Sequence, residues 1–400
     1  MADTNAAPLP LTPAERRWSL AAAIASASVF GLGIGEGAPL LSLLLETRGT
    51  GTTLNGLNAA SAFLGVLLGP LLAPYCVRRL GIRDFLLMCF ALDIVVVLLV
   101  KASGGIAAWF ALRMLLGVIG SSIFTASEAW INLLAGDRTR GRVIGLYATG
   151  LSAGFGLGPL VLAVTGIAGW PPFIANAVIT ATAALPLLRV GNLARDFGRE
   201  RGASPLVMFA RAPFIMLAVA LFGFYETALL TLLPIWGVRI GLSTRFAAAT
   251  VSAVYAGAIA AQVLIGWLSD RWARLTVLRL CGGAGLIGAA LVMTSAAPSP
   301  ALFGLLFVWG GIAAGIYPVA LGMAGDRFRG GDLLTVNAAI IIAYGLGALL
   351  GPALGGAAMD LWNPRGLPAL FVLLFALFLA ATLLFREPDR PPRRGANSKR

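Results

Sequence analysis

Ala135-Gly-Asp-Arg-Thr-Arg-Gly141 returns later in the chain as Ala324-Gly-Asp-Arg-Phe-Arg-Gly330, with six of seven residues the same at an offset of 189. Each copy follows a long apolar run, residues 106–135 in the first case and 300–323 in the second. Two further matches keep the same order. Glu36-Gly-Ala-Pro-Leu-Leu41 is echoed by Glu226-Thr-Ala-Leu-Leu230, with the glutamates 190 apart. Gly154-x-x-x-Gly158-Pro159 is echoed by Gly347-x-x-x-Gly351-Pro352, 193 apart. Three ordered matches at nearly one offset identify an internal repeat of roughly half the chain.

Around these anchors the sequence is apolar almost throughout. Of 400 residues, 58% are hydrophobic and 12% charged, about half the charged share of a soluble domain. Mean hydropathy is +0.88. Crossing a bilayer takes about 20 mostly apolar residues. Twelve runs qualify, at 18–45, 53–77, 84–101, 106–135, 142–168, 171–189, 212–237, 246–268, 275–296, 300–323, 333–358 and 366–385. They must be helices, because backbone groups in hydrocarbon need partners within their own segment. A β-barrel would instead show short alternating segments. The expected fold is an all-α membrane protein with twelve transmembrane helices in two pseudo-symmetric six-helix bundles. The first run is too long for a signal peptide and is followed by others, so it stays as a span.

The net charge of +13 comes from 30 basic and 17 acidic residues. Nucleic-acid binding would need a compact basic domain, and none is present. The basic residues cluster between spans. With the N-terminus inside, the tails, the inner loops and the span ends beside them hold 24 of the 30; the outer loops hold five, Arg48, Lys101, Arg239, Arg245 and Arg365, and Arg113 lies within span 4. That asymmetry puts both termini in the cytoplasm of a bacterial inner membrane. The organisation expected is a tail over 1–17, a bundle over 18–188, a cytoplasmic linker over 189–211, a second bundle over 212–385 and a tail over 386–400. The three cysteines have no CxxC spacing and there is no histidine, which argues against disulfides and metal sites. No cofactor is expected. Proton chemistry must run on carboxylates.

These residues resemble the major facilitator superfamily over about 18–385. Gly266-Trp-Leu-Ser-Asp270-Arg271-Trp-Ala-Arg274 is similar to its loop signature; the first-half copy is degenerate, with Ala73 at the aspartate position and then Gly81-Ile-Arg83. Arg113-x-x-x-Gly117-x-x-Gly120 resembles its span 4 signature. The Gly154, Gly158, Pro159 set resembles its span 5 antiporter signature, with Leu162-Ala163 in place of the closing glycine pair. Gly347, Gly351 and Pro352, followed by Gly355-Gly356, resemble the fuller form. Spans 4–5 and 7 are similar in style to a YcaD-like group of bacterial transporters. The resemblance implies a carrier with a central path lined by spans 1, 4, 7 and 10. It also implies a charge latch at Asp270, Arg271 and Arg274, with Gly266, Gly81 and Arg83, that holds an outward-open state. Asp270→Asn would then favour the inward-open state.

Glu36, Asp93, Arg113, Glu128 and Glu226 interrupt apolar runs. A charge at mid-bilayer costs about 2.5–3.5 kcal/mol on insertion scales, so these side chains should face protein or a wet cavity. Glu36 and Arg113 lie at similar depth and are candidate partners. Asp93 reads as a structural charge on a peripheral helix. Glu36, Arg113, Glu128, Glu226 and the neutral Gln262 form the expected substrate and proton pathway. Desolvation favours the neutral form of a carboxylate, so a glutamate in a span can trade protons. One proton crossing about 100 mV yields about 2.3 kcal/mol, enough for roughly a fifty-fold solute gradient. The alternating glycines of Gly31-Leu-Gly-Ile-Gly-Glu-Gly-Ala-Pro39 predict irregular backbone in span 1. The Gly-Pro pairs predict close packing with a bend in spans 5 and 11.

The function expected is proton-coupled efflux of a small solute by antiport. The alternatives are an uptake symporter for a metabolite and a non-transporting membrane sensor. No convergent catalytic set argues for an enzyme. Expected partners are a small-molecule substrate, protons and membrane lipid, with the protein a monomer.

Overall fold

The computed structural model describes residues 12–134, 140–191, 206–295, 298–328 and 330–384. Most of the first loop copy at 135–141, the linker charges from Arg195 to Arg201, residues 1–11 of the first tail and the charged C-terminal tail lie outside the described residues. Among the described residues, twelve helices are long and apolar enough to cross a membrane: Pro13–Thr47, Thr52–Leu80, Ile82–Ala102, Ile106–Leu134, Val143–Thr165, Pro171–Arg189, Pro213–Arg239, Thr244–Arg271, Arg274–Thr294, Pro300–Arg327, Thr335–Leu361 and Gly366–Leu384. They are called spans 1 to 12. Their outward faces are apolar, with Leu71, Val164 and Val263 each more than 70% exposed, as side chains meeting hydrocarbon would be.

The spans match the sequence reading in number and order, with shifted ends. Span 1 begins at Pro13 rather than Trp18, because Thr12 and Glu15 form a capping box and Pro13 occupies the first turn. Arg16 and Arg17 are therefore helical, and Arg16 donates to the Leu134 carbonyl at 2.9 Å. Span 6 tightens into a 3-10 turn over Leu185–Arg189. A short helix, Val207–Arg211, precedes span 7. Span 10 is broken into Pro300–Ala313 and Ile316–Arg327.

Packing repeats between the halves. Spans 1 and 5, 2 and 4, and 3 and 6 pair in the first half; 7 and 11, 8 and 10, and 9 and 12 pair in the second. The glycine motifs explain the tightest of these contacts. A Cβ on Gly158 would lie 2.5 Å from the Glu36 nitrogen, and one on Gly351 would run into the Phe224 carbonyl. Span 5 thus rests on span 1, and span 11 on span 7, nearly backbone to backbone. Span 1 is regular α-helix from Pro13 to Thr47, Pro39 included, so the irregular backbone expected there does not occur. Its four glycines divide by face. Gly31 and Gly35 receive the span 5 backbone, while Gly33 and Gly37 have nothing within 4 Å of a would-be Cβ and border a cavity.

The halves meet through spans 2 and 11, 5 and 8, and 1 and 7. The end of the bundle that carries the start of span 1 and the end of span 12 is called the terminal end, and the opposite one the far end. Polar contacts of Arg239 and Asp360 join the halves at the far end. Arg239 Nε of span 7 donates to Glu46 Oε1 of span 1 at 2.9 Å. Asp360 of span 11 accepts at Oδ1 from the Thr52 amide at 3.0 Å and from the Thr52 hydroxyl. Its Oδ2 accepts from the Thr53 amide and hydroxyl, both at 2.7 Å. A carboxylate thus caps the N-terminus of span 2 from the other half, where Gly51 supplies no side-chain cap.

Candidate functional site

Glu226 sits near the middle of span 7. Its Oε1 accepts from the Tyr255 hydroxyl of span 8 at 3.0 Å, and its Oε2 from the Tyr344 hydroxyl of span 11 at 2.7 Å. No cation lies within ion-pair distance of it among the described residues. Aromatic rings continue from this carboxylate in both directions. Phe222, Tyr317 and Tyr344 form a cluster with centroids 5.1–6.3 Å apart. Phe155 of span 5 stacks on Tyr255 across the half boundary at 5.4 Å, with the rings 6° from parallel. Phe30 and Phe124 carry the row back into spans 1 and 4.

Two further polar residues lie toward the terminal end. Glu128 of span 4 is exposed, and Tyr317 of span 10 lies within electrostatic reach of both Glu128 and Glu226. Gln262 is also exposed. It follows Tyr255 by seven residues, which leaves it only about 20° off the Tyr255 face of span 8, two turns nearer the terminal end. Glu128 and Gln262 thus lie nearer the terminal end than Glu226, on spans that flank it or its tyrosine partners.

Glu36 and Arg113 belong to a second cluster, inside the first half, and they do not pair. Glu36, fully buried, accepts from Asn176 Nδ2 of span 6 at 2.9 Å. Arg113, 4% exposed, donates from Nη1 to Asn58 Oδ1 of span 2 at 2.9 Å. Similar depth in two helices does not fix rotation about their axes, and each group found an amide instead. Asp93 accepts from Thr180 of span 6 at 3.5 Å. Asp93, Arg113 and Asn176 line a cavity of about 120 Å³ among spans 1, 2, 3, 4 and 6, closed on one side by Leu230 and Thr231 of span 7. Asp93 thus bonds a neighbouring helix, as its reading as a structural charge expects, and also lines the cavity.

The loop residues are placed differently. Arg271 lies over the Trp267 ring at 4.0 Å. Arg274 donates from Nε to Asp326 Oδ2 at 2.6 Å, within the second half. Asp270 ends span 8 and is exposed; Gly266 has open space around its Cα. Gly81 makes the turn between spans 2 and 3 at φ +80°, where glycine is favoured. Arg83 bonds its neighbour Asp84 at 2.9 Å.

Sequence reasoning missed Asn58, Asn176, Tyr255 and Tyr344. Asn58 and Asn176 carried a signal, since an uncharged amide in an apolar span also needs a partner. Tyr255 and Tyr344 carried none, because tyrosine is common in ordinary membrane packing.

Two repeated helical halves of six apolar spans each, with ionisable groups at mid-span, have the organisation of a secondary transporter. The chain belongs to the major facilitator superfamily, whose family model matches residues 18–298 and 241–400. It is 26% identical over 366 residues to the uncharacterized MFS-type transporter YfkF of Bacillus subtilis, covering 89% of this chain and 93% of that one. It is equally identical over 368 residues to YcaD of Shigella flexneri, covering 88% and 92%. Its fold matches a mutant of the nucleoside transporter NupG with a TM-score of 0.79 at 13% identity, over 92% of this chain and 99% of that one. It also matches a D-xylose-proton symporter with a TM-score of 0.70 at 17% identity, over 93% and 97%.

Proposed function

We propose that this chain exports a small solute across the bacterial inner membrane in exchange for protons, with Glu226 as the proton-carrying group. The observation that carries the reading is the setting of Glu226. Its two oxygens accept from two tyrosine hydroxyls of different spans, and no cation neutralises it among the described residues. A carboxylate in a membrane interior needs a counter-charge or a proton. With no fixed cation at hand, a proton arriving along a crevice between the halves, past Gln262 and Glu128, would fill that need.

The bias of basic residues toward the terminal end supports cytoplasmic termini. On that orientation the far-end contacts of Asp360 and Arg239 seal the outer side, and the crevice bordered by Glu128 faces the cytoplasm. The boundaries of the two bundles, 18–188 and 212–385, fit the repeated pairing of spans within each half. Asp270 with Arg271 and Arg274 would then act at the inner face when the crevice closes there. Gly154, Gly158 and Pro159, with Gly347, Gly351 and Pro352, would keep spans 1 and 5, and 7 and 11, moving as rigid pairs.

The test is a reconstituted assay. A thermal-shift screen of the purified protein against metabolites and drugs selects a solute, and proteoliposomes then report its flux under an imposed pH gradient. Wild-type protein should move the solute against its own gradient, opposite in direction to the protons. Glu226→Gln should fold, bind the solute and lose the response to pH. Coupled flux in that variant would remove Glu226 from the role, and co-directional flux would replace antiport by symport.

A further inference from the structure

The cavity in the first half has two chemically opposite sides. On one, the Arg113 guanidinium spends one donor on Asn58 Oδ1, has no acidic partner among the described residues, and leaves Asn58 Nδ2 buried without an acceptor. On the other, Asp93 faces the cavity, and Asn176 Oδ1 and Glu36 Oε1 are buried without a donor. Arg113, Asp93 and Asn176 line the cavity itself, with Asn58 and Glu36 bonded behind Arg113 and Asn176. A buried polar atom without a partner is costly, and Asn176 Oδ1 at the wall of a void points to a ligand that completes it. One side offers only spare donors, the other only spare acceptors.

The dimensions are small. Glu36 is 11 residues from the end of span 1, Asp93 nine from the end of span 3 and Arg113 seven from the start of span 4. At 1.5 Å per residue the three lie within about 6 Å of one another in depth. The remaining wall is apolar, from Leu116 and Phe173 among others. A cavity of about 120 Å³ is close to one that holds benzene, so the ligand has roughly six to nine non-hydrogen atoms.

We infer that this cavity binds a small apolar zwitterion of the amino-acid type, its carboxylate on Arg113, which Asn58 holds in place, and its ammonium on Asp93 and Asn176. Glu36 orients Asn176 from behind. A ligand carrying one charge leaves one side of the cavity unmatched, and sites built to hydrogen-bond a group reject analogues that lack it. The inference rests on the reading that the chain carries a small solute, and not on the identity of the coupling ion.

Equilibrium binding to the purified full chain tests it, with L-leucine as the probe. The controls are 4-methylpentanoate, which lacks the amine, and 3-methylbutylamine, which lacks the carboxylate. L-leucine should bind, and each control should bind at least about tenfold more weakly. Arg113→Gln should lose L-leucine while keeping weak binding of the amine; Asp93→Asn should do the opposite, keeping the carboxylate. If either control matches L-leucine, or L-leucine does not bind at millimolar concentration, the inference is overturned by the wild-type protein alone. L-leucine binding without proton coupling would leave this site standing and remove the proposed coupling. Proton-coupled flux of another solute without L-leucine binding would do the reverse.

Discussion

The two halves share a scaffold and differ in chemistry. Glu36 and Glu226 stand 190 residues apart, each on a helix that receives a glycine-lined partner, span 5 in one case and span 11 in the other. Yet Glu36 is held by one amide and keeps an unmatched buried oxygen, whereas Glu226 has both oxygens bonded by tyrosines. Packing differs in the same sense. The most apolar stretch of span 7 is 78% buried and that of span 1 is 44% buried. Around span 7, Tyr225 is enclosed by Trp309, Phe371 and Phe375 at 5.4–5.5 Å. The duplicated part of the design is what lets helices approach and pivot. The part free to diverge is the set of polar groups aimed inward, and there one half acquired a lone, satisfied carboxylate and the other a cavity with spare donors and acceptors.

Breaking that contrast at its sharpest point should give the largest effect. Glu226→Gln should abolish pH-driven solute flux in proteoliposomes while Glu36→Gln preserves it. Equal loss in both would mean the halves share the proton role. Next comes the shared scaffold. Gly158→Leu forces side-chain atoms into the span 1 backbone and should destabilise the fold by at least about 1–3 kcal/mol. Gly37→Ala, toward the cavity, should change stability by less than about 0.5 kcal/mol. Melting of the two variants in detergent checks both, and similar losses would contradict the division of the span 1 glycines by face. Asp360→Asn weakens the charged cap that one half places on the other, worth about 1 kcal/mol. Labelling of a cysteine introduced at the far end should then rise several-fold, and unchanged labelling would show that the cap does not hold the halves together. The smallest effect belongs to a pair inside one half. Arg83 and Asp84 are both more than one-third exposed, so Asp84→Asn should cost less than about 0.5 kcal/mol and leave labelling at either end alone.

Much of this was legible from residues. Apolar run length gave the twelve spans, and the ordered repeats gave two halves, because membrane helices have few other ways to satisfy their backbones. The glycine motifs foretold close helix contact at Gly154, Gly158, Gly347 and Gly351. What failed to read out was rotation about helix axes. Glu36 and Arg113 share a depth and still face different amides. The glycine run of span 1 looked too weak for a helix, but two of its members are needed for the span 5 contact and the helix stays regular. Thr12 and Glu15, a capping box three residues apart, could have placed the start of span 1 correctly. Asp360 gave no hint of its reach across the half boundary, since its partners at Thr52 and Thr53 are more than 300 residues away in sequence.

Solute counterflow and pH-driven accumulation, measured side by side on Glu226→Gln proteoliposomes, test the central claim most directly. Counterflow needs the halves to alternate around the solute but needs no proton; accumulation needs both. Retained counterflow with no accumulation is the expected outcome. Accumulation at the wild-type level would show that the proton travels elsewhere and would contradict the role assigned to the second half.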